Sequence, residues 1–113
     1  MEHIQKGLAG EVKACGFLEQ HGYEIRERNY RAGKGEIDII AFKDNCLCFV
    51  EVKYRKNNRY GFPEVFVTEK KLRMIQQTAE AYVYQKEWHG RIRFDVIAIT
   101  GTEAPVHITD VTL

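Results

Sequence analysis

The stretch that decides the fold runs from Gly35 to Lys53 and reads GEIDIIAFKDNCLCFVEVK. It predicts two short strands joined by a tight polar turn at Asp44–Asn45. A two-residue loop there pairs Lys43 with Cys46, and the residue numbers of every opposed pair then have the same sum. The register of the hairpin can therefore be predicted by counting outward from the turn.

Side chains alternate between the two faces of a strand, so the same count assigns each residue to a face. One predicted face is apolar near the turn and charged at the far end: Glu36, Asp38, Ile40, Phe42, Leu47, Phe49, Glu51 and Lys53. The other is apolar throughout: Ile37, Ile39, Ala41, Cys46, Cys48, Val50 and Val52. Packing on both faces predicts a central position in an α/β/α sandwich.

The charged end of the hairpin places Asp38 opposite Glu51 and Glu36 opposite Lys53. Opposed residues have Cβ atoms about 4.5–5.5 Å apart, so the two carboxylates raise one pKa or require a cation between them. A hard divalent ion such as Mg²⁺ is bound by one or two carboxylates plus waters. The alternative is an ordinary Glu36–Lys53 ion pair with Asp38 and Glu51 solvated, and a bulge would break the predicted register.

Lys53 and Glu11 complete the candidate site. Lys53 can act as a general base, or hold a phosphate as a point charge. Glu11 falls between Leu8 and Leu18 in the apolar stripe of the first helix, where a carboxylate needs a partner or a metal. The alternative, that Glu11 lies at the edge of the stripe and is solvated, stays open.

The remaining pattern predicts a helix over residues 2–21, a strand over 23–30, a helix over 68–87 capped by Thr68, a strand over 92–100 and an edge strand within 106–111. The apolar positions of the two helices are Ile4, Leu8, Val12, Cys15 and Leu18 in the first, and Leu72, Ile75, Ala79, Tyr82 and Val83 in the second. Helices at both ends of a strand run predict layers on the two faces of one mixed sheet.

The composition is that of an ordinary soluble domain. The chain has 113 residues, 44% hydrophobic and 29% charged, with a net charge of +1, so we expect one domain over 1–113. An odd count of three cysteines with no CxxC argues against zinc and disulfides. No apolar run predicts a membrane helix or a signal peptide, and we expect a cytoplasmic protein.

Basic segments flank the acid cluster, although the net charge is small. Candidate nucleic-acid contacts are Arg28, Arg31, Lys34, Arg55, Lys56 and Arg59, and Tyr30, Tyr54 and Tyr60 could stack on bases. A solvated basic loop is the alternative. Lys70 and Lys71 are interpreted as plain surface lysines, with phosphate contact as the alternative. The four histidines are interpreted as surface residues, whereas Asp95 either supports the site or caps a loop.

The chain resembles the PD-(D/E)XK nuclease superfamily, whose motif is an acid on one strand and acid-x-Lys on the next. Asp38 and Glu51-Val52-Lys53 match it, and Glu11 fits the helix acid of many members. More closely, the chain resembles the YraN-like family of predicted endonucleases. The matching blocks are Gly10-Glu11, Arg28-Asn29-Tyr30-Arg31, Gly35-Glu36-Ile37-Asp38, Phe49-Val50-Glu51-Val52-Lys53 and Arg93-Phe94-Asp95-Val96.

This resemblance implies a restriction-endonuclease-like α/β/α sandwich with an αβββαβ core. It also implies Mg²⁺ or Mn²⁺ held by Asp38, Glu51 and the backbone carbonyl of Val52, with Glu11 assisting, in part through water. Lys53 would orient or activate the attacking water, and Glu36 is a supporting residue. The resulting hypothesis is an endonuclease that acts on nucleic acid. We expect its substrate to be DNA, and analogy with the resolvases suggests a homodimer. A non-catalytic nucleic-acid-binding module and an interaction protein with a structural ion-pair network are the alternatives.

Overall fold

The fold follows the predicted order of helices and strands. The computed structural model describes residues 2–55, 68–101 and 103–111, and the side chains of residues 9–54, 68–101 and 103–111. The elements are α1 (Glu2–Gln20), β1 (Glu24–Ala32), β2 (Gly35–Lys43), β3 (Cys46–Arg55), α2 (Glu69–Gln85), β4 (Arg91–Thr100) and β5 (Val106–Ile108). None of the helices in this described part has the length and apolar character needed to cross a membrane.

The five strands form one mixed sheet in the order β1-β2-β3-β4-β5. β3 and β4 are parallel, with α2 between them in the chain, and the other neighbouring pairs are antiparallel. One core cluster joins α1 to the sheet through Ala14, Cys15 and Leu18, and a second joins α2 to the opposite face through Ile75, Ala79 and Tyr82. The predicted α/β/α sandwich with an αβββαβ core is confirmed.

The predicted hairpin register is confirmed in its apolar part. Lys43 pairs with Cys46, and the ladder between β2 and β3 continues to the pair Ile39–Val50. Asp44 and Asn45 both have positive φ, at 51° and 59°, as the favoured two-residue hairpin turn requires. The buried thiols of Cys46 and Cys48 belong to the core cluster under α1, as predicted.

The predicted alternation of faces is wrong at Asp38. Ile37 packs with Ile40 on the α2 side, whereas Ile39 packs on the α1 side, although Ile37 and Ile39 were assigned to one face. The side chains of β1 also switch faces beside Asp38. Arg28 approaches α1, whereas Tyr30, two residues later, packs against α2. The residue between them, Asn29, has a φ of 54°, and this left-handed conformation interrupts the pleat of the paired strands.

The burial of α1 also differs from the prediction. Cys15 and Leu18 are buried as expected, but Val12 is 58% exposed, and the side chains of Ile4 and Leu8 lie outside the described part. At 100° per residue, a face centred between Ala14 and Leu18 includes position 11 and leaves position 12 toward solvent. The face of α1 that packs on the sheet therefore includes Ala14 and Glu11, and it does not include Val12, which the apolar pattern predicts to be buried.

The prediction for α2 holds closely. The Thr68 hydroxyl accepts a hydrogen bond from the Lys71 backbone N–H at 3.1 Å, which confirms the N-cap. Thr78 is buried as well, and its hydroxyl donates to the Met74 carbonyl at 2.9 Å. A Cβ atom on Gly35 would lie 1.9 Å from Thr78 Oγ1, so the start of β2 packs directly on this helix.

Candidate active site

The candidate site begins where β2 separates from β3. The ladder stops at Ile39–Val50, and the next free backbone group of β3, the Val52 N–H, donates instead to Asp38 Oδ2 at 2.8 Å. The predicted pairs Asp38–Glu51 and Glu36–Lys53 therefore lie beyond the ladder. Because the N–H and C=O of one strand residue point to the same side, the Val52 carbonyl lies on the edge of β3 that faces β2.

Glu51 lies next to Asp38 and is approached from the α2 layer. Its Oε1 is 3.5 Å from the Lys71 ammonium, and its side chain is only 13% exposed. The interpretation of Lys71 as a plain surface lysine is therefore wrong. A signal was present in the sequence, because a lysine in the first turn of a helix is disfavoured by the helix dipole and needs a compensating charge.

The two acids share an electrostatic environment that opposes ionisation. Burial and then the charge of Glu51 raise the pKa of Asp38 to about 7, against the hydrogen bond from Val52, which lowers it. Burial also raises the pKa of Glu51, although the ammonium groups of Lys71 and Lys53 act in the opposite direction. A cation placed at these carboxylates would remove the penalty for ionising both.

Glu11 reaches the same region from α1. Its side chain is 14% exposed, and its Oε2 is buried with no hydrogen-bond partner among the described residues. The nearest cation is the Arg28 guanidinium, 4.0 Å away. The Glu11 charge also contributes to the raised pKa of Asp38. The solvated alternative for Glu11 is therefore wrong, and among the described residues its buried Oε2 has only the long contact with Arg28 as compensation.

The donors present suit a hard divalent ion. Asp38, Glu51 and the Val52 carbonyl offer only oxygen atoms, which Mg²⁺ and Mn²⁺ prefer, and the buried Glu11 oxygen can accept from a metal-bound water. Within the described residues, no three His, Cys, Asp or Glu side chains are grouped to hold an ion. The fit is therefore to an ion held by two carboxylates, one carbonyl and waters, as is usual for Mg²⁺.

Lys53 and Glu36 lie at this end of the sheet but not as a pair. Lys53 is half-buried, and its charge acts on Glu51. Glu36 instead contacts the Arg31 guanidinium at 3.7 Å, because Arg31 and Glu36 are neighbours in the β1–β2 ladder. Among the described residues Lys53 has no ion-pair partner, whereas Glu36 belongs to an exposed ion pair.

The predicted nucleic-acid contacts are only partly placed. Arg31 and Lys34 are exposed at the β1–β2 turn, and Arg28 is directed toward Glu11. The Arg55 side chain, Lys56, Arg59 and Tyr60 lie outside the described part of the chain. Tyr54 is exposed, but Tyr30 packs edge-to-face on Tyr82 with ring centroids 5.1 Å apart, so its ring serves the core.

Asp95 lies in a separate polar cluster on β4. Its carboxylate is 2% exposed and accepts from Arg93 Nε and Nη2, each at 2.8 Å, and from the Asp110 N–H at 3.0 Å. The His107 Nε2 lies 2.8 Å from its Oδ2. Asp95 therefore anchors the chain segment after β4, and the interpretation of His107 as a surface residue is wrong.

The chain is similar to proteins of one family along most of its length. The family described as "Uncharacterised protein family UPF0102" matches residues 10–99. A UPF0102 protein of Cytophaga hutchinsonii is 73% identical over 113 residues, covering 100% of both chains. A UPF0102 protein of Phocaeicola vulgatus is 43% identical over 107 residues, covering 95% of this chain and 88% of the relative.

A solved structure shares the fold. Hjc of Archaeoglobus fulgidus, a Holliday junction resolvase, superposes with a TM-score of 0.58 at 15% identity, covering 90% of this chain and 75% of that chain. This likeness confirms the restriction-endonuclease-like sandwich. The family match confirms the YraN-like resemblance. The chain belongs to the uncharacterised protein family UPF0102.

Proposed function

We propose that this protein is a metal-dependent endonuclease that hydrolyses phosphodiester bonds of nucleic acid, with DNA as the preferred substrate. The observation that carries the proposal is the pair of neighbouring half-buried acids, Asp38 and Glu51, beside the free backbone of Val52. Burial raises the pKa of both carboxyl groups. They lie where β2 leaves β3 and frees the backbone of Val52. The shared fold with a Holliday junction resolvase supports the same reaction class.

In this proposal each residue has a distinct task. Asp38, Glu51 and the Val52 carbonyl would hold Mg²⁺ or Mn²⁺, and Glu11 would orient a water beside them. The bound ion supplies charge stabilisation of the phosphoryl group and lowers the pKa of the attacking water. Lys53 positions that water or the scissile phosphate with its ammonium group. Exposed Arg31 and Lys34 contact neighbouring phosphates, with Arg55, Lys56 and Arg59 as further candidates.

The test is a cleavage assay with Mg²⁺ or Mn²⁺ on a panel of four-way junction, flapped, linear and single-stranded DNA, with RNA beside it. We expect Glu51→Ala to reduce cleavage at least about a hundredfold while nucleic-acid affinity stays within about threefold, because electrostatic and metal contacts act mainly on the transition state. Glu80→Ala, an exposed acid of α2, is the matched control and should cut like the wild type. Light scattering on the same samples tests the homodimer.

A second candidate is a nucleic-acid-binding module that keeps the fold without cutting. It is favoured by the lack of a three-ligand metal cluster among the described residues. Binding that weakens with salt, without cleavage of any substrate in the panel, would select this candidate. If binding were also absent, the acids and bases would be a structural ion-pair network in an interaction protein.

A further inference from the structure

Among the lysines whose side chains the structure describes, Lys71 stands apart because it reaches from the α2 layer to a proposed metal ligand on β3. Its ammonium lies 3.5 Å from Glu51 Oε1, and its side chain is 41% exposed while that of Glu51 is 13% exposed. The lysine thus covers the half-buried carboxylate from the solvent side. Lys70, the preceding residue in the same helical turn, is exposed.

The N-cap of α2 fixes the backbone position of Lys71, although a lysine is electrostatically unfavourable there. Its backbone N–H is held by the Thr68 hydroxyl at the N-cap, so the residue cannot leave the first turn of α2. A cation at this end of a helix opposes the helix dipole. The contact with Glu51 offsets that cost, and only the flexible four-carbon side chain is free to move.

An ammonium group and a divalent ion would compete for the same carboxylate. The Glu51 side chain is only 13% exposed, so an ionised carboxylate there needs a positive charge nearby. Lys71 meets that need at one oxygen atom. A dication bound by Glu51 and Asp38 would repel the ammonium strongly at this distance, and the exposed side of Lys71 leaves a path into solvent.

We propose that Lys71 is an exchangeable counter-ion of Glu51, which neutralises the site in the metal-free protein and which a divalent ion must displace in order to bind. The inference rests on the proposed function only in taking Glu51 as a metal ligand. Its consequence is that Lys71 weakens metal binding and thereby sets the ion concentration at which the site fills.

The test is Mn²⁺ binding to the full-length protein without nucleic acid, followed by the electron paramagnetic resonance signal of free Mn²⁺. We expect Lys71→Gln to bind Mn²⁺ about fivefold more tightly than the wild type, the effect of losing one competing half-exposed ion pair. Lys70→Gln, which removes the same charge one residue away, should stay within about twofold of the wild type, since its contribution is only long-range and screened. Lys71→Arg keeps the charge and should restore affinity close to that of the wild type.

The outcomes separate the two ideas. If Mn²⁺ binding depends on Glu51, as shown by its loss in Glu51→Gln, but Lys71→Gln binds no more tightly than Lys70→Gln, the exchange is overturned and the metal site stands. Weaker binding by Lys71→Gln would overturn it too, because Lys71 would then support the site. If Glu51→Gln binds as well as the wild type, both proposals fail. Thermal melting of each variant verifies that it is folded.

Discussion

Two aspartates of the same sheet, the buried Asp95 and the half-buried Asp38, have opposite electrostatic environments. Asp95 accepts four hydrogen bonds, two from Arg93 and one each from His107 and the Asp110 N–H, and its pKa is lowered. Asp38 accepts one, from the Val52 N–H, among the described residues, and its neighbours Glu51 and Glu11 are acids. Burial acts against ionisation at both positions, so the surrounding donors decide the direction of each shift.

Under the proposed function, the difference is that between a structural carboxylate and one that a bound cation would complete. Around Asp95 the protein itself supplies the compensating charge and the hydrogen-bond donors. The carboxylate is therefore fully hydrogen-bonded, and it holds the segment at Asp110 in place. Around Asp38 the described residues supply one hydrogen bond and two neighbouring acids, and the proposed cation would add the compensating charge. The same residue type thus stabilises the fold at one site and opposes folding at the other.

The largest expected effect is that of Asp95→Asn, which would break the complete cluster. The free energy of unfolding should fall by about 2–4 kcal/mol, because the Arg93 guanidinium loses its countercharge and the amide group faces other donors. Urea unfolding at pH 7 measures this. Asp110→Asn is the control, since Asp110 contributes its backbone N–H, and should change stability by less than about 0.5 kcal/mol. A loss below about 1 kcal/mol for Asp95→Asn would contradict the structural role.

In metal-free buffer, Asp38→Asn should increase the free energy of unfolding, whereas Asp95→Asn decreases it. The folded pKa of about 7 lies above the unfolded value of 3.8, so the folded state binds more protons and stability falls as pH rises between these values. Removing the charge should therefore stabilise the protein by about 1–3 kcal/mol at pH 8 and by much less at pH 4.5. Urea unfolding in EDTA at both pH values tests it, and equal effects at the two pH values would refute the raised pKa.

The contribution of Asp95 to the free energy of unfolding should change with pH in the opposite direction. Its folded pKa is lowered, so its stabilisation is present above the unfolded value and is lost as pH falls through the folded one. The decline in stability between about pH 4 and pH 7 should persist in Asp110→Asn and become shallower in Asp38→Asn, where the raised pKa of Glu51 is the remaining contribution.

Divalent ions should stabilise the protein through one of the two aspartates. At ten times the dissociation constant, Mg²⁺ or Mn²⁺ should add about 1.4 kcal/mol to the free energy of unfolding by mass action. The gain should vanish in Asp38→Asn and persist in Asp95→Asn, measured as the shift of the thermal midpoint with ion concentration. An equal gain in both variants would mean that the ion binds elsewhere.

The smallest effect on the free energy of unfolding is expected for Glu36→Gln. This variant tests whether every acid at this end of the sheet behaves like Asp38. Glu36 forms an exposed ion pair with Arg31, and such pairs contribute little. The free energy of unfolding should change by less than about 0.5 kcal/mol at pH 8, with or without Mg²⁺. A stabilisation comparable to that of Asp38→Asn would extend the unbalanced acid cluster to Glu36.

Much of the fold could be predicted because its signals are local. The turn at Asp44–Asn45, the register from Lys43–Cys46 to Ile39–Val50 and the Thr68 cap each depend on neighbouring residues. The prediction failed at Asn29, whose positive φ changes the face of two strands at once. Asparagine tolerates that conformation without requiring it, so the residue type alone does not announce the change.

The site was predicted by residue type and misjudged in its contacts. Glu11, Asp38, Glu51 and Lys53 do come from elements that converge on one end of the sheet. The role of Lys71 was missed because its partner lies 20 positions earlier in the chain and in another layer. His107 was missed for the same reason, since its contact with Asp95 exists only after β5 returns beside β4.

By itself, the sequence determined which residues pair in the central hairpin and which acids stand at its charged end, because turn type and side-chain alternation act over a few residues. The tertiary structure decided how those acids behave. The separation of β2 from β3 gave Asp38 the Val52 N–H, and the packing of α2 brought Lys71 to Glu51. Burial and charge at a carboxylate are sums over all elements around it, and such a sum exists only once the layers are packed.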